Sequence, residues 1–235
     1  MIALLGVLAG LLTTVAGLGG GVLLVLALSA LSSPQDALAA TAPALLVGNL
    51  HRAWLYRGAL DRRTARTFAE GALPGSLVGG WVAAWLPTWA LSTLMIVGVA
   101  LALLRALGWI KTEIPDGALR PAAAGIGALA ATSGGAAGLA GGLLLARGLK
   151  GETYVATASI AAVSLHLGRM VAYASAGLFT EELVVQAGIL AATIGLGNLL
   201  GLRIRAWLPQ AITERAEVGA LILACGLALA GPFTS

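Results

Sequence analysis

Nearly the whole of this chain is divided among eight apolar stretches, at roughly 2–31, 37–57, 67–86, 88–108, 119–149, 153–177, 183–202 and 212–232. A helix needs about 20 consecutive apolar residues to cross a hydrocarbon core of about 30 Å, and most of these stretches have that length. Only 14 basic and 10 acidic residues serve 235 positions, and 59% of the chain is apolar. An average soluble domain is about 25% charged. The pattern predicts an all-α integral membrane protein and excludes an ordinary cytosolic enzyme or a disordered chain. Cys225 is the single cysteine, so a disulfide scaffold is excluded as well. The net charge of +4 does not signal nucleic-acid binding. The arginines are scattered between apolar stretches, where loop charge reports membrane orientation. Met1 to Ser29 lacks a basic leader region and reads as part of the mature protein.

Two stretches are too long for one crossing. The first and fifth would each reach roughly 45 Å as straight helices. Each carries a glycine cluster near its middle: Gly17, Gly19, Gly20 and Gly21 in one, Gly134, Gly135, Gly138, Gly141 and Gly142 in the other. Glycine is a poor helix former, so each stretch is expected to break into two half-helices.

The chain also repeats itself. Ala16-Gly17-Leu18-Gly19-Gly20-Gly21-Val22-Leu23-Leu24 matches Ala137-Gly138-Leu139-Ala140-Gly141-Gly142-Leu143-Leu144-Leu145, and Ala84-Trp85-Leu86-Pro87 recurs as Ala206-Trp207-Leu208-Pro209. Between these anchors Thr41 pairs with Thr157, Arg52 with Arg169, Tyr56 with Tyr173, and Gly75 and Gly79 with Gly197 and Gly201. Matches in the same order at a nearly constant offset define two halves, 1–110 and 117–235.

Loop charge orients them. The loop after segment two carries Arg57, Arg62, Arg63 and Arg66, whereas its counterpart carries Glu181 and Glu182. Ser32 to Asp36 has no basic residue, whereas its counterpart holds Arg147 and Lys150. The Pro87 turn is uncharged, whereas its counterpart is flanked by Arg203, Arg205 and Arg215. By the positive-inside rule, equivalent loops face opposite sides, which predicts inverted repeats. Inversion needs an odd number of crossings per half. Each half is therefore expected to hold one glycine-broken re-entrant helical hairpin plus three transmembrane helices, with both termini outside. Every basic residue except Arg169 then falls at or near the cytoplasmic side.

Irregular backbone at membrane depth is tolerated only where protein buries it or it lines a cavity. Secondary transporters place their sites at such repeat interfaces, with half-helix N-termini facing anionic groups. Thr13, Thr14, Thr132 and Ser133 stand at the breaks and add hydroxyls to Gly17, Gly19, Gly20, Gly134, Gly138 and Gly141. Close helix packing is the competing role for the glycines.

The sequence resembles the sulfite exporter TauE/SafE family of bacterial inner-membrane permeases. The resemblance covers nearly the whole chain. It rests on the duplicated A-G-L-x-G-G block, Gly58-Ala59-Leu60-Asp61-Arg62, and Ala72-Leu73-Pro74-Gly75-Ser76-Leu77-Val78-Gly79. In the second half it rests on Thr157 to Ser159 and on Gly168-Arg169 to Tyr173. It implies a multi-pass inner-membrane transporter for sulfite, a sulfonate or a related organic anion.

Arg169 lies inside a span, where a charge is costly and usually faces a cavity or partner. Its planar donors suit an oxyanion, and snorkelling to headgroups is the rival role. Its mate Arg52 reads as either a site residue or a cytoplasmic anchor. His51 and His166 occupy nearly equivalent positions and, because a free histidine changes charge near neutral pH, are candidates for proton coupling. Asn49 and Ser164 share their helical neighbourhood. Trp81, Trp85, Trp89 and Trp207 read as interfacial anchors, and Gly71, Gly75, Gly79, Gly197 and Gly201 as packing faces.

The leading function is alternating-access transport of a small anion. The rivals are a passive anion channel and an intramembrane serine hydrolase using Ser133 and His166. No Walker A pattern or metal-ligand cluster is present in the sequence, so neither a cofactor nor a metal is expected. The expected partners are a small anion and the bilayer, with a homodimer as a permitted assembly and no nucleic acid.

Overall fold

The computed structural model describes residues 1–16, 19–110, 114–134, 137–205, 207–208 and 210–230. Among the described residues the chain forms ten α-helices, two short 3₁₀ turns and no strand. The helices are α1 (Ile2–Ala16), α2 (Gly19–Ser29), α3 (Pro34–Leu55), α4 (Arg62–Trp85), α5 (Thr88–Ala106), α6 (Leu119–Ser133), α7 (Ala137–Ala146), α8 (Gly151–Ser175), α9 (Glu181–Arg205) and α10 (Gln210–Ala230).

Both long apolar stretches are divided at their glycines, into α1 with α2 and α6 with α7. The longest of these four, at 15 residues, spans only about 22 Å. The end of α6 is clear in its local chemistry. Gly134 takes φ 64°, the left-handed conformation that glycine adopts without a Cβ penalty, and its N–H closes on Ala130 O at 2.9 Å. Gly17, Leu18 and Gly135 lie outside the described residues. By contrast α5, α8 and α9 are long and apolar enough to cross a membrane.

The starts of α3 and α4 are each closed by a capping side chain. Ser33 caps α3 by accepting from Asp36 N at 3.0 Å, and Pro34 occupies the first helical position, where no N–H is needed. Asp61 caps α4, accepting from Thr64 N at 3.1 Å and from Thr64 Oγ1 at 2.7 Å. Those two bonds to Thr64, the backbone one first, hold the Asp61 carboxyl below its usual range.

Glycine stripes bring two helix pairs into backbone contact. A Cβ at Gly71, Gly75 or Gly79 of α4 would overlap the carbonyls of Arg120, Ala124 and Ala128 on α6. Likewise Gly6 and Gly10 of α1 meet Leu190 O and Ile194 O of α9, and Gly197 and Gly201 of α9 meet Val7 O and Leu11 O. In both pairs residue numbers rise together, so α4 runs parallel to α6 and α1 parallel to α9. Exchanging the halves maps one pair onto the other. It likewise maps α3–α9 onto α8–α4, α2–α10 onto α7–α5, and α1–α10 onto α6–α5, all of which are packed pairs.

The centre is the pair α3 and α8, which that exchange maps onto itself. Arg169, late in α8, reaches Thr41, early in α3, whereas Thr157, early in α8, accepts from Asp61 N beyond the end of α3. The two equivalent helices therefore run antiparallel. At the periphery, Trp81, Trp85, Trp89 and Trp207 are exposed, with Trp81 and Trp85 edge to face at 6.4 Å.

Candidate functional site

Two polar clusters flank the α3–α8 pair. The first gathers at the end of α1. The last carbonyls of a helix have no partner within it and carry the negative end of its dipole. Here Arg52 Nη1 donates to Thr13 O at 2.8 Å, and Arg205 Nη1 donates to Thr14 O at 2.9 Å. Arg52 Nη2 also donates to Asn49 Oδ1 at 2.6 Å. Asn198 joins the cluster, accepting from Thr14 Oγ1 at 2.9 Å and donating to Gly48 O at 3.1 Å. Two guanidiniums and an amide thus tie the end of α1 to α3 and α9.

The second cluster lies along α8. Arg169 is only 2% exposed, so the snorkelling role is removed. Its Nη2 donates to Thr41 Oγ1 over a long 3.4 Å, and its Nε has no hydrogen-bond partner. The Thr41 hydroxyl in turn donates to Ala37 O at 2.7 Å, so its oxygen is turned to receive Arg169. His166, one turn before, is buried, and its Nδ1 is also without a partner. Tyr173, one turn after, donates to Ala131 O in the last turn of α6 at 2.5 Å. No Asp or Glu is among the buried polar side chains of the described residues.

The structure distributes the expected site residues unevenly. Thr13, Thr14, Asn49 and Arg52 meet at the α1 end. Thr132 and Ser133 stand at the end of α6, in the turn that Tyr173 ties to α8. Ser164 and Arg169 lie along α8. The hydroxyls of Thr13, Thr132, Ser133 and Ser164 each donate to carbonyls of their own helix, between 2.6 and 3.2 Å. Their protons are engaged by backbone, and an anion would recruit them only if they turned.

Gly20 packs on Ala9 and Thr13, folding α2 back along α1, and Gly19 is buried beside it. Gly134 abuts Val25 of α2, so the second break touches the first hairpin. Gly138 packs on Ala102 of α5, and Gly141 is buried in α7. The two histidines differ: His51 is only partly buried, whereas His166 is buried. Ser133 Oγ donates to Leu129 O at 2.6 Å while His166 Nδ1 accepts nothing, so no nucleophile–base bond joins Ser133 to that nitrogen.

Four contributors were not singled out as site residues from sequence. Thr41 was visible only as a repeat match, and Tyr173 as a repeat match and as the end of the stretch that begins at Gly168. Asn198 stands among the glycines of Gly195-Leu196-Gly197, and Arg205 reads as an ordinary loop charge.

A buried guanidinium on a membrane-protein helix, paired with no carboxylate, is chemistry suited to an anion. The family comparison agrees with it: the model of the sulfite exporter TauE/SafE family matches residues 2–229. The chain belongs to the TauE/SafE family. Family membership and the apolar helices make this a membrane protein, and the family implies a transporter of sulfite- and sulfonate-type anions. No curated protein and no solved structure matched the chain.

Proposed function

We propose that the chain is a secondary transporter of a sulfite- or sulfonate-type anion, spanning the inner membrane several times. The observation that carries this reading is Arg169: buried in a TauE/SafE chain, one long hydrogen bond, an unpartnered Nε, and no ion pair. A buried unpaired charge costs several kcal/mol in general, and a bound oxyanion offsets that cost. Transport proceeds by alternating access of two inverted halves, 1–110 and 117–235, with α1–α2 and α6–α7 as re-entrant hairpins. The antiparallel course of the equivalent helices α3 and α8, and the exchange of packed pairs between halves, support that architecture.

Proteoliposome counterflow tests the function. Labelled sulfite should enter vesicles preloaded with unlabelled sulfite and transiently exceed its outside level, which a passive channel does not produce. Arg169→Ala should lower that uptake by about 10- to 100-fold, the effect of one lost charged hydrogen bond of roughly 1.5–3 kcal/mol. Unchanged uptake in a folded Arg169→Ala protein removes Arg169 from the site. For the architecture, single cysteines at Ser32 and Lys150 in a Cys225→Ala background should label from opposite sides of the membrane. Labelling from one side refutes inversion.

A further inference from the structure

Two buried nitrogens of α8 have no hydrogen-bond partner, His166 Nδ1 and Arg169 Nε, and their residues are three apart. Side chains at i and i+3 lie over one face of a helix. A buried polar group without a partner bears the full cost of its desolvation. Two such groups on one face therefore point to a shared guest.

The surroundings restrict the guest further. Among the described residues, the charged groups that bear on His166 are Arg169 on its own helix and Arg52 from α3. At Gly168, α4 presents Leu73, Ser76 and Leu77, none of which titrates near neutral pH, and α6 offers the Ala131 carbonyl to Tyr173.

We propose that His166 and Arg169 bind the same oxyanion and that His166 takes up one proton with it, so that anion and proton cross together. This rests on the reading of Arg169 as the anion anchor. One oxygen of the anion accepts from Arg169 Nε–H and a second accepts from His166 Nδ1–H. A water on the loading side gives the proton that turns the imidazole into imidazolium, and water on the far side takes it back when the anion leaves. In the empty site, a proton on His166 adds positive charge beside Arg169 and Arg52. With the anion present that charge is compensated. Each ligand therefore raises the affinity for the other, by reciprocal linkage.

The test uses the full chain in proteoliposomes with the membrane potential clamped to zero, and sulfite and methanesulfonate as parallel probes. Methanesulfonate carries no proton near neutral pH, so proton entry with it belongs to the protein. With the outside one pH unit more acidic, the wild type should accumulate anion toward a ratio of about tenfold, the limit for one proton per anion. An internal pH dye should report proton entry alongside it. His166→Gln keeps an N–H donor but carries no proton. Its anion exchange at equal concentrations should fall, because an anion contact is altered, and the exchange that remains should not accumulate anion under the gradient. Full accumulation by His166→Gln overturns the coupling and leaves the anion site standing. Net anion uptake by the wild type with no proton entry overturns the coupling without relying on any variant. Exchange of neither anion by the wild type overturns the transport reading, and this proposal with it.

Discussion

Arg52 and Arg169 are matched by the sequence comparison of the two proposed halves, lie on the packed helices α3 and α8, and are both buried. Their circumstances nonetheless differ. Arg52 closes the end of α1, with short bonds to Thr13 O and Asn49 Oδ1. In the second half the hydroxyl of Tyr173 takes a carbonyl in the last turn of α6 instead. A neutral group does there what a cation does in the first half, and Arg169 is left with one long bond to Thr41. The difference teaches that duplicated sequence does not fix duplicated work. One arginine holds a helix end in place, while its mate keeps a single long hydrogen bond, the feature on which the proposed anion site rests.

Several measurements would sharpen or break this contrast. The largest expected effect is functional: Arg169→Ala should abolish most anion uptake while leaving thermal stability unchanged or raised, because removing an unpaired buried charge relieves a cost. Arg52→Ala should show the reverse order of effects. It leaves the Thr13 carbonyl and Asn49 unsatisfied in the interior, and a loss of about 1–3 kcal/mol should appear as a lower melting temperature in detergent. Equal thermal shifts for the two variants would collapse the distinction. Gly75→Ala should destabilise by about 1–3 kcal/mol, because its methyl group has no room against the Ala124 backbone of α6. Tyr173→Phe should cost about 1 kcal/mol by freeing the Ala131 carbonyl, and Arg205→Ala about as much by freeing that of Thr14.

The smallest effect concerns Asp61. Its carboxyl is held below the usual range by Thr64. It therefore adds stability that is fully present above its unfolded pKa of about 3.9 and is lost as pH falls through the lower folded value. Asp61→Ala should lower stability by about 1 kcal/mol at neutral pH, and the difference from wild type should shrink in strong acid. A constant difference across that range would separate Asp61 from the cap.

How much of this was legible in the sequence depends on the range of the interaction. The glycine breaks and the packing stripes follow from local conformational preference and from spacing along one helix. The membrane setting follows from the run lengths of apolar residues. Arg169 stood out because it fits no loop. The engagement of Arg52 and Arg205 did not, since each arginine reaches a carbonyl far away in sequence and nothing near it signals the partner. The hydroxyls of Thr13 and Ser164 were expected to serve a ligand, yet both donate to their own helices, a choice made by local backbone geometry. The histidines read as twins, and only packing separates the buried His166 from the partly exposed His51.

The sequence by itself determined an all-helical membrane chain broken at two glycine clusters, because apolar run length and the conformational preference of glycine act locally. Tertiary structure alone decided which of two matching arginines is engaged by a helix end. That outcome depends on which carbonyl, hydroxyl or guanidinium arrives within about 3 Å of another, a distance set by the packing of helices remote in the chain.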